Sequence, residues 1–278
     1  KTATLAHRVA YKIAGGTDPG RILLLTFTRR AAAEMLRRVD SILRQLDIET
    51  RQRGARTVTS GGAGAPSGAA TPGGKVWGGT FHATATRLLR LHGRAIGLSP
   101  SFTILDRGDA EDLMGVLRTE LGLAKNDRRF PLKGTCMDIY SRCVNAREPV
   151  EQAVEGHFPW CKDEVEDLRR LFSVFLDRKG QQSVLDYDDL LLFWHGLLSE
   201  PRAAKAVRSR FDCVLVDEYQ DTNRLQAEIL AMLCPGGKDL TVVGDDAQSI
   251  YSFRAATVRN ILDFPQQFPD ACTITLEE

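Results

Sequence analysis

Two polar stretches, each placed directly after an apolar run, contain residues suited to phosphate chemistry. The first is VLVDEYQDTN (214–223), in which Val216 is followed by Asp217 and Glu218, with a further acid at Asp221. Adjacent carboxylates repel, so two acids at a strand end indicate either a solvated loop or a metal site. At the carboxyl end of a parallel strand, one acid can hold Mg²⁺ while its neighbour polarises a water that attacks a phosphate.

The first two residues supply the type of group that would face such acids. A Lys-Thr pair at the start of a helix is typical of the end of a G-x-x-x-x-G-K-[ST] loop, and the chain begins with Lys1 and Thr2. In such a loop the lysine reaches the terminal phosphates and the threonine hydroxyl binds Mg²⁺. The pair predicts nothing alone, but together with Asp217 and Glu218 it indicates a nucleoside triphosphatase. We expect the glycines of the loop to precede Lys1.

The stretch VVGDDAQSIYSFRAA (242–256) again places polar residues directly after an apolar run. Gln248 is neutral and long enough to sense a γ-phosphate or the water that attacks it. Tyr251 and Phe253, with Arg254 beside them, could stack on nucleobases, each stack contributing roughly 1–3 kcal/mol. Alternatively, the two aromatic rings fill a core.

Two further stretches, TFTRRAAAEM (26–35) and GTFHATATRLL (79–89), share the pattern of a strand, Thr-Phe and a helix start. Helix N-termini present free N–H groups and a positive dipole end to phosphates. Phe27 could offer a stacking face, and Arg29 with the next arginine could neutralise backbone phosphates. His82 is given a contact role only, because a lone histidine is more often structural than catalytic.

The elements that must position these residues are predicted from the spacing of apolar residues. Recurrence every three to four residues predicts helices, and short apolar runs predict buried strands. Helices and strands alternate, which is typical of an α/β fold with a parallel sheet. The helices are predicted over 2–14, 31–46, 83–97 and 185–198, and the strands over 22–27, 75–82, 211–216, 240–244 and 272–276.

Two segments interrupt this alternation. Residues 53–74 are rich in glycine and alanine with almost nothing to bury, which predicts a flexible, disordered insertion. Residues 98–185 carry helical patterns and turn signals but no clear strand, so a helical block is expected to interrupt the α/β domain.

Composition excludes several classes of protein. The 278 residues carry a net charge of +1, so no global basic field marks a nucleic-acid binder, and any such binding needs a local strip. The six cysteines form no C-x-x-C pair, which disfavours a zinc site or a disulfide framework and suits a reducing cytoplasm. No apolar run approaches 18 residues, so membrane insertion is not expected.

Taken together, these stretches resemble the UvrD/Rep/PcrA family of superfamily 1 DNA helicases. Lys-Thr resembles the end of motif I, TFTRRAAAEM motif Ia, TFH motif Ib, VDEYQDTN motif II and VGDDAQSIYSFRAA motif III, in the family's order. The resemblance implies a P-loop NTPase (RecA-like) parallel sheet flanked by helices, with an inserted all-helical subdomain. Residues 1–96 and 186–278 would form RecA-like domain 1A and residues 97–185 a 1B-type insert, with LDYDDL (185–190) marking the return to domain 1A.

The resemblance also implies a function and residue roles. The family translocates along single-stranded DNA with 3′→5′ polarity using ATP and Mg²⁺, and acts at junctions of single- and double-stranded DNA. The implied catalytic and nucleotide-binding residues are Glu218 (water activation), Gln248 (coupling of the γ-phosphate to DNA movement), Lys1 (phosphate), and Thr2 and Asp217 (Mg²⁺). The implied DNA-binding residues are Phe27, Thr28, Arg29, His82, Tyr251, Phe253 and Arg254.

Three expectations concern the whole protein. The family continues into a second RecA-like domain with an arginine finger, so we expect these 278 residues alone to hydrolyse ATP negligibly. A helicase–nuclease subunit would share the same motifs and remains an alternative. A catalytically silent module that binds DNA or protein is a second alternative, disfavoured because Asp217, Glu218 and Gln248 are all retained.

Overall fold

The chain forms an α/β structure around a four-stranded parallel sheet with helices on both faces. The computed structural model describes residues 1–54, 75–124, 130–248 and 259–276, so residues 55–74 of the predicted insertion lie outside the described residues. The strands of this sheet are β1 (Ile22–Thr26), β2 (Trp77–Thr80), β5 (Cys213–Val216) and β6 (Leu240–Val242), each within a predicted strand. Their order is β2–β1–β5–β6, and every neighbouring pair is parallel.

The two faces of the sheet are buried by different helices because strand side chains alternate in direction. Ile22 and Leu24 pack on α1 (Thr2–Ala14) and α2 (Arg29–Gly54), whereas Leu23 and Leu25 join the cluster that contains Trp194 of α8 (Tyr187–Ser199). Both faces are therefore covered, which explains why β1 is apolar at four successive positions. The helices on these faces are α1 (Thr2–Ala14), α2 (Arg29–Gly54), α3 (Phe81–His92), α8 (Tyr187–Ser199), α9 (Pro201–Arg208) and α10 (Arg224–Leu233).

A separate group of helices has a hydrophobic core of its own. Its fully buried members include Met114, Ile139 and Leu171, and none of the residues in this cluster belongs to the sheet. The helices of the group are α4 (Arg107–Glu120), α5 (Lys133–Ala146), α6 (Val150–His157) and α7 (Val165–Gln182). The prediction that this stretch is mainly helical is confirmed.

The prediction of no strand between 98 and 185 is wrong, because two short strands pair at the ends of that stretch. β3 (Thr103–Ile104) runs parallel to β4 (Val184–Leu185). The N–H of Thr103 donates to the carbonyl of Ser183 (3.2 Å), and the N–H of Leu105 donates to the carbonyl of Leu185 (2.8 Å). Two residues are too few to show any periodicity, so the sequence pattern carries no sign of this pair.

The strand predicted over 272–276 is also not observed. Residues 271–276 have no regular structure, and two of their apolar side chains, Ile274 (76%) and Leu276 (55%), are largely exposed. Alternation of apolar and polar residues is a local property, whereas a strand also needs a hydrogen-bonding neighbour. Two short helices, α11 (Arg259–Leu262) and α12 (Phe264–Gln267), precede this segment. Within the described ranges no helix is both long and apolar enough to cross a bilayer.

Candidate functional site

The ends of β1, β5 and β6 meet at one edge of the sheet and hold the acidic stretch that follows β5. The N–H of Asp217 donates to the carbonyl of Leu25 (2.9 Å), and the N–H of Tyr219 donates to the carbonyl of Val243 (3.0 Å). These bonds reach the strands on either side of β5 and fix the backbone between them. This is the edge at which parallel α/β sheets bind ligands.

Asp217 is a buried carboxylate, and its Oδ1 has no hydrogen-bond partner. Burial raises the pKa of Asp217, the charge of Glu218 raises it further, and the charge of Lys1 lowers it. The Oδ1 atom of Asp221 is likewise buried without a partner. A buried acceptor without a donor costs roughly 1–3 kcal/mol, and a cation bound at these oxygens would remove that cost.

Glu218 has a left-handed backbone conformation, with φ 51° and ψ 48°. This conformation costs a non-glycine residue roughly 1–2 kcal/mol and is concentrated at functional sites. The Glu218 side chain is 32% exposed, and its Oε2 accepts a hydrogen bond from Gln220 Nε2 at 2.9 Å. The pair therefore consists of a buried acid suited to holding a cation and a neighbouring acid that water can reach.

Lys1 lies against the acidic stretch although it is more than 200 residues away in sequence. Its Nζ donates to Gln248 Oε1 at 2.7 Å. The same Nζ is 3.4 Å from Asp245 Oδ2 and 3.7 Å from Glu218 Oε2. A cation at this position can neutralise the neighbouring carboxylates and can bind a phosphate that enters the site.

A cleft of about 440 Å³ opens between the acids and the start of α2. This volume is in the range of small-molecule and cofactor sites. Six of the residues predicted to form the site line it: Thr2, Phe27, Thr28, Asp217, Glu218 and Gln248. The remaining lining residues are Ala31, Glu34, Arg38, Gln220 and Asp221.

Comparison of the sequence with known protein families identifies the family to which this chain belongs. Residues 1–269 match the family described as the UvrD/REP helicase N-terminal domain. The chain belongs to the UvrD/REP helicase family. The family resemblance of the motifs is therefore confirmed over nearly the whole chain.

Relatives named as ATP-dependent DNA helicases match this chain along its whole length. It is 35% identical over 282 residues to the "ATP-dependent DNA helicase PcrA" of Leuconostoc citreum. It is 35% identical over 289 residues to the "ATP-dependent DNA helicase UvrD1" of Mycobacterium tuberculosis, and 29% identical over 282 residues to the PcrA of Staphylococcus aureus. All of this chain is covered, but only 33–34% of each relative, so the chain spans about a third of their length.

The other residues predicted for the site of this UvrD/REP family member lie outside the cleft or outside the described residues. Arg29 is exposed at the first position of α2. His82, in the first turn of α3, packs edge-on against Tyr187, with 5.8 Å between ring centroids. The predicted stacking group comprises Tyr251, Phe253 and Arg254, which lie outside the described residues.

Sequence reasoning assigned no role to three polar residues that the UvrD/REP fold brings to the site. Gln220 contacts Glu218, Asp245 contacts Lys1, and Asp221 lines the cleft. The one available signal was their position in the polar stretches that follow β5 and β6. That signal does not reveal which of several consecutive polar side chains turns inward, because direction in a loop depends on backbone angles that have no period.

The residues at the site fit a magnesium ion that is shared with a phosphate ligand. In the described ranges, no group of three or more His, Cys, Asp or Glu side chains is arranged to hold a metal ion by itself. Mg²⁺ is usually held by one or two carboxylates together with waters and substrate phosphates, so such a cage is not required. The unpartnered oxygens of Asp217 and Asp221 and the hydroxyl-bearing Thr2 provide the hard oxygen ligands that the ion prefers.

Proposed function

We propose that the chain is the ATP-binding part of an ATP-dependent DNA helicase that translocates along single-stranded DNA with 3′→5′ polarity. The single observation that carries the proposal is the convergence of the Asp217–Glu218 pair and Gln248 in one cleft at the carboxyl edge of a parallel sheet, with Lys1 Nζ paired to Gln248 and Glu218 beside it. Family membership supports it, as do the helicase names of the relatives.

The proposed roles reflect the charge and burial of each side chain. Lys1 binds the terminal phosphates in place of its present carboxylate partners. Asp217 and Thr2 hold Mg²⁺, which screens phosphate charge when bound. Glu218 is the exposed member of the pair, so it is the one that accepts a proton from the attacking water.

Gln248 is proposed to couple the nucleotide to DNA movement. Its Oε1 accepts from Lys1, so a phosphate that attracts Lys1 away would free the amide to turn toward the nucleotide. In sequence, Gln248 lies three residues before Tyr251 of the predicted stacking group, so a change at Gln248 is close to a proposed DNA contact.

Single-stranded DNA, and its junctions with duplex, are the proposed partners. Phe27 and Thr28 line the cleft and Arg29 is exposed beside them, so the start of α2 adjoins both the acids and solvent. A cationic side chain with an adjacent aromatic ring is the usual composition of a surface that binds single strands. His82, on α3, is proposed as a further contact.

The proposed architecture is a P-loop, RecA-like domain with a helical insert. The domain would comprise residues 1–96 and 186–278, and the insert residues 97–185. Two observations support this division: α4–α7 have their own core, and β3 pairs with β4 where the chain enters and leaves that stretch. A cytoplasmic location is proposed because all six cysteines are free.

The proposal is tested with Glu218→Gln in the full-length protein. We expect ATP hydrolysis stimulated by single-stranded DNA to fall by about 10²–10⁴-fold, because the amide cannot accept the proton of water. Binding of a fluorescent ATP analogue should persist with Mg²⁺ and weaken when EDTA removes it. Glu228→Gln is the matched control, since its side chain is 31% exposed against 32% for Glu218 and it lies on α10 outside the cleft.

Two outcomes would contradict the proposal. Turnover by Glu218→Gln within twofold of the unsubstituted protein would remove Glu218 from the chemistry. Equal unwinding of duplexes with 3′ and 5′ single-stranded tails, at saturating ATP, would refute the polarity.

A further inference from the structure

Gln220 is a buried amide that joins the two loops carrying the proposed catalytic residues. It is 1% exposed and lies between the acidic stretch after β5 and the turn after β6. Its Nε2 donates to Glu218 Oε2 at 2.9 Å, and its Oε1 accepts from the backbone N–H of Asp245 at 3.0 Å. Its contacts also include Asp221 Oδ2, at 3.5 Å from Nε2.

The contacts with Glu218 and Asp245 use opposite ends of the Gln220 amide, the NH₂ group for Glu218 and the oxygen for the N–H of Asp245. The carboxylate of Glu218 can only accept, and the backbone N–H of Asp245 can only donate. An amide turned over would place its NH₂ against the N–H of Asp245 and its oxygen against Glu218, losing both bonds. Because Gln220 is buried, water cannot replace either partner without a cavity.

The neighbouring loop leaves room for this amide at a glycine. A Cβ at Gly244 would lie 2.7 Å from Gln220 Oε1 and 3.3 Å from the Gln220 backbone nitrogen. It would also lie 2.5 Å from Ile261 Cδ1, so any side chain there would displace its neighbours. The absence of a side chain at 244 thus preserves the position of the Gln220 amide.

The bond to Glu218 acts on a side chain that packing holds only partly. Glu218 is 32% exposed, and its nearest cation, Lys1, is 3.7 Å from Oε2. The bond to Gln220, at 2.9 Å, is the closer contact and involves a charged acceptor, which makes it stronger than a neutral hydrogen bond. When a phosphate draws Lys1 away, Gln220 remains to orient the carboxylate.

The bond between Gln220 and Asp245 fixes the backbone of the loop that follows β6. Asp245 immediately precedes the turn Asp246–Gln248. Its Oδ1 accepts from the backbone N–H of Ala247 within that turn (3.1 Å). Holding the Asp245 backbone therefore fixes where that turn starts. One amide in this way fixes the water-activating acid relative to the proposed phosphate-sensing glutamine.

We propose that Gln220 is a positioning residue for ATP hydrolysis, which holds the Glu218 carboxylate toward the attacking water and aligns the two loops. The inference rests on the proposed function, because it gives Glu218 and Gln248 their catalytic roles. In this scheme Gln220 acts through Glu218 and Asp245 and contributes no group to the reaction itself.

The test compares Gln220→Met and Gln220→Glu in the full-length protein with single-stranded DNA present. Methionine keeps the length and loses both hydrogen bonds, so kcat for ATP should fall about 10–100-fold. The KM for ATP should change by less than about threefold, because Lys1 and Asp217 are untouched. Gln226→Met is the matched control, since Gln226 is also buried and bonded to backbone but contacts Asn223 instead of an acid of the site.

Gln220→Glu, taken together with thermal unfolding, separates positioning from simple structural support. Glutamate can still accept from the N–H of Asp245 but buries a charge beside Glu218, so a purely structural role predicts that kcat recovers well below the unfolding midpoint of each variant. A positioning role predicts a loss of kcat at least as large as that of methionine, because the new carboxylate faces Glu218 Oε2 and repels it. Thermal unfolding of each variant is measured alongside.

The outcomes distinguish the inference from the proposed function. The inference is supported by a fall in kcat at both Gln220 variants with KM retained, together with near-native turnover by Gln226→Met. Native turnover by Gln220→Met, or a glutamate variant clearly better than methionine, would overturn it while leaving the ATPase role of Glu218 in place. An unsubstituted protein that hydrolyses no ATP would overturn both.

Discussion

Replacing Lys179 by methionine should cost far more stability than replacing a lysine on the surface. Lys179 Nζ lies 2.6 Å from Asp186 Oδ2 and 2.7 Å from Asp189 Oδ2, and donates to the Tyr140 hydroxyl at 3.3 Å. The three charged side chains are each at most 5% exposed. The cluster joins the end of α7 to the start of α8, where the helical stretch returns to the sheet.

The magnitude depends on the groups that the substitution leaves behind. Methionine replaces the aliphatic stem, so little cavity forms, but two buried carboxylates lose their counter-charge. Removing one partner of a buried ion pair costs about 3–5 kcal/mol. Asp186 and Asp189 keep their reciprocal bonds to each other's backbone N–H (2.9 and 3.0 Å), so we expect a value near the middle of that range, about 4 kcal/mol.

Lys12→Met is the control for this experiment. Lys12 Nζ is 3.3 Å from Asp239 Oδ1, and the two side chains are 29% and 41% exposed. An exposed pair of this type contributes about 0–1 kcal/mol. Urea unfolding of both variants, followed by far-UV circular dichroism, gives the two losses in free energy of unfolding, and equal losses would refute the reasoning.

Acid should reduce the loss at Lys179→Met. Burial and the charge of Asp186 already raise the pKa of Asp189, while Lys179 lowers it. Without Lys179, the folded chain takes up a proton more readily than the unfolded chain, so lowering the pH stabilises the variant relative to the native protein. A loss that stays constant from pH 8 to pH 5 would contradict this electrostatic origin.

Two further substitutions test the polar groups near this cluster. Burial, followed by the charge of Asp186, raises the pKa of Asp188 to about 6, so stability falls as pH rises through about 4 to 6. Asp188→Asn should therefore be more stable by about 1–2 kcal/mol at pH 7.5 and level with the native protein near pH 4 in urea unfolding; a pH-independent difference would argue against it. Asn223 caps α10, and its side chain donates to Asn145 Oδ1 at 2.7 Å. Asn223→Ala should therefore lower the free energy of unfolding by about 2–3 kcal/mol in the same assay. A loss below about 0.5 kcal/mol would show that neither bond contributes to stability.

The two central strands of the main sheet were predictable because each is a short, nearly continuous apolar run. Ile22–Thr26 and Cys213–Val216 are buried on both faces, and such strands have no competing helical pattern. The opposite holds for the β3–β4 pair, whose two-residue strands are defined by hydrogen bonds between distant segments. Residues 272–276 show the reverse error, a strand-like pattern without a neighbouring strand.

The site was predictable at its strand ends and not between them. Asp217 and Glu218 follow β5 directly, so the topology alone places them at the binding edge. The hydrogen bond between Lys1 and Gln248 joins residues far apart in the chain; both were predicted to face the terminal phosphate, but their direct contact was not predicted. Gln220 went unassigned because its burial depends on the left-handed turn at Glu218, which no pattern of residue types predicts.

The parallel pairing of β3 with β4 determines how a mechanical load on the helical stretch reaches the sheet. The stretch is attached to the carboxyl end of β3 and to the amino end of β4, which lie at opposite ends of the pair. Tension across these attachments therefore shears the strands, and the bonds at Thr103 and Leu105 bear the force together. An antiparallel pair would instead open one bond at a time from the loaded end. The β3–β4 pair at the base of the helical stretch is thus arranged to transmit tension and to resist opening from one end.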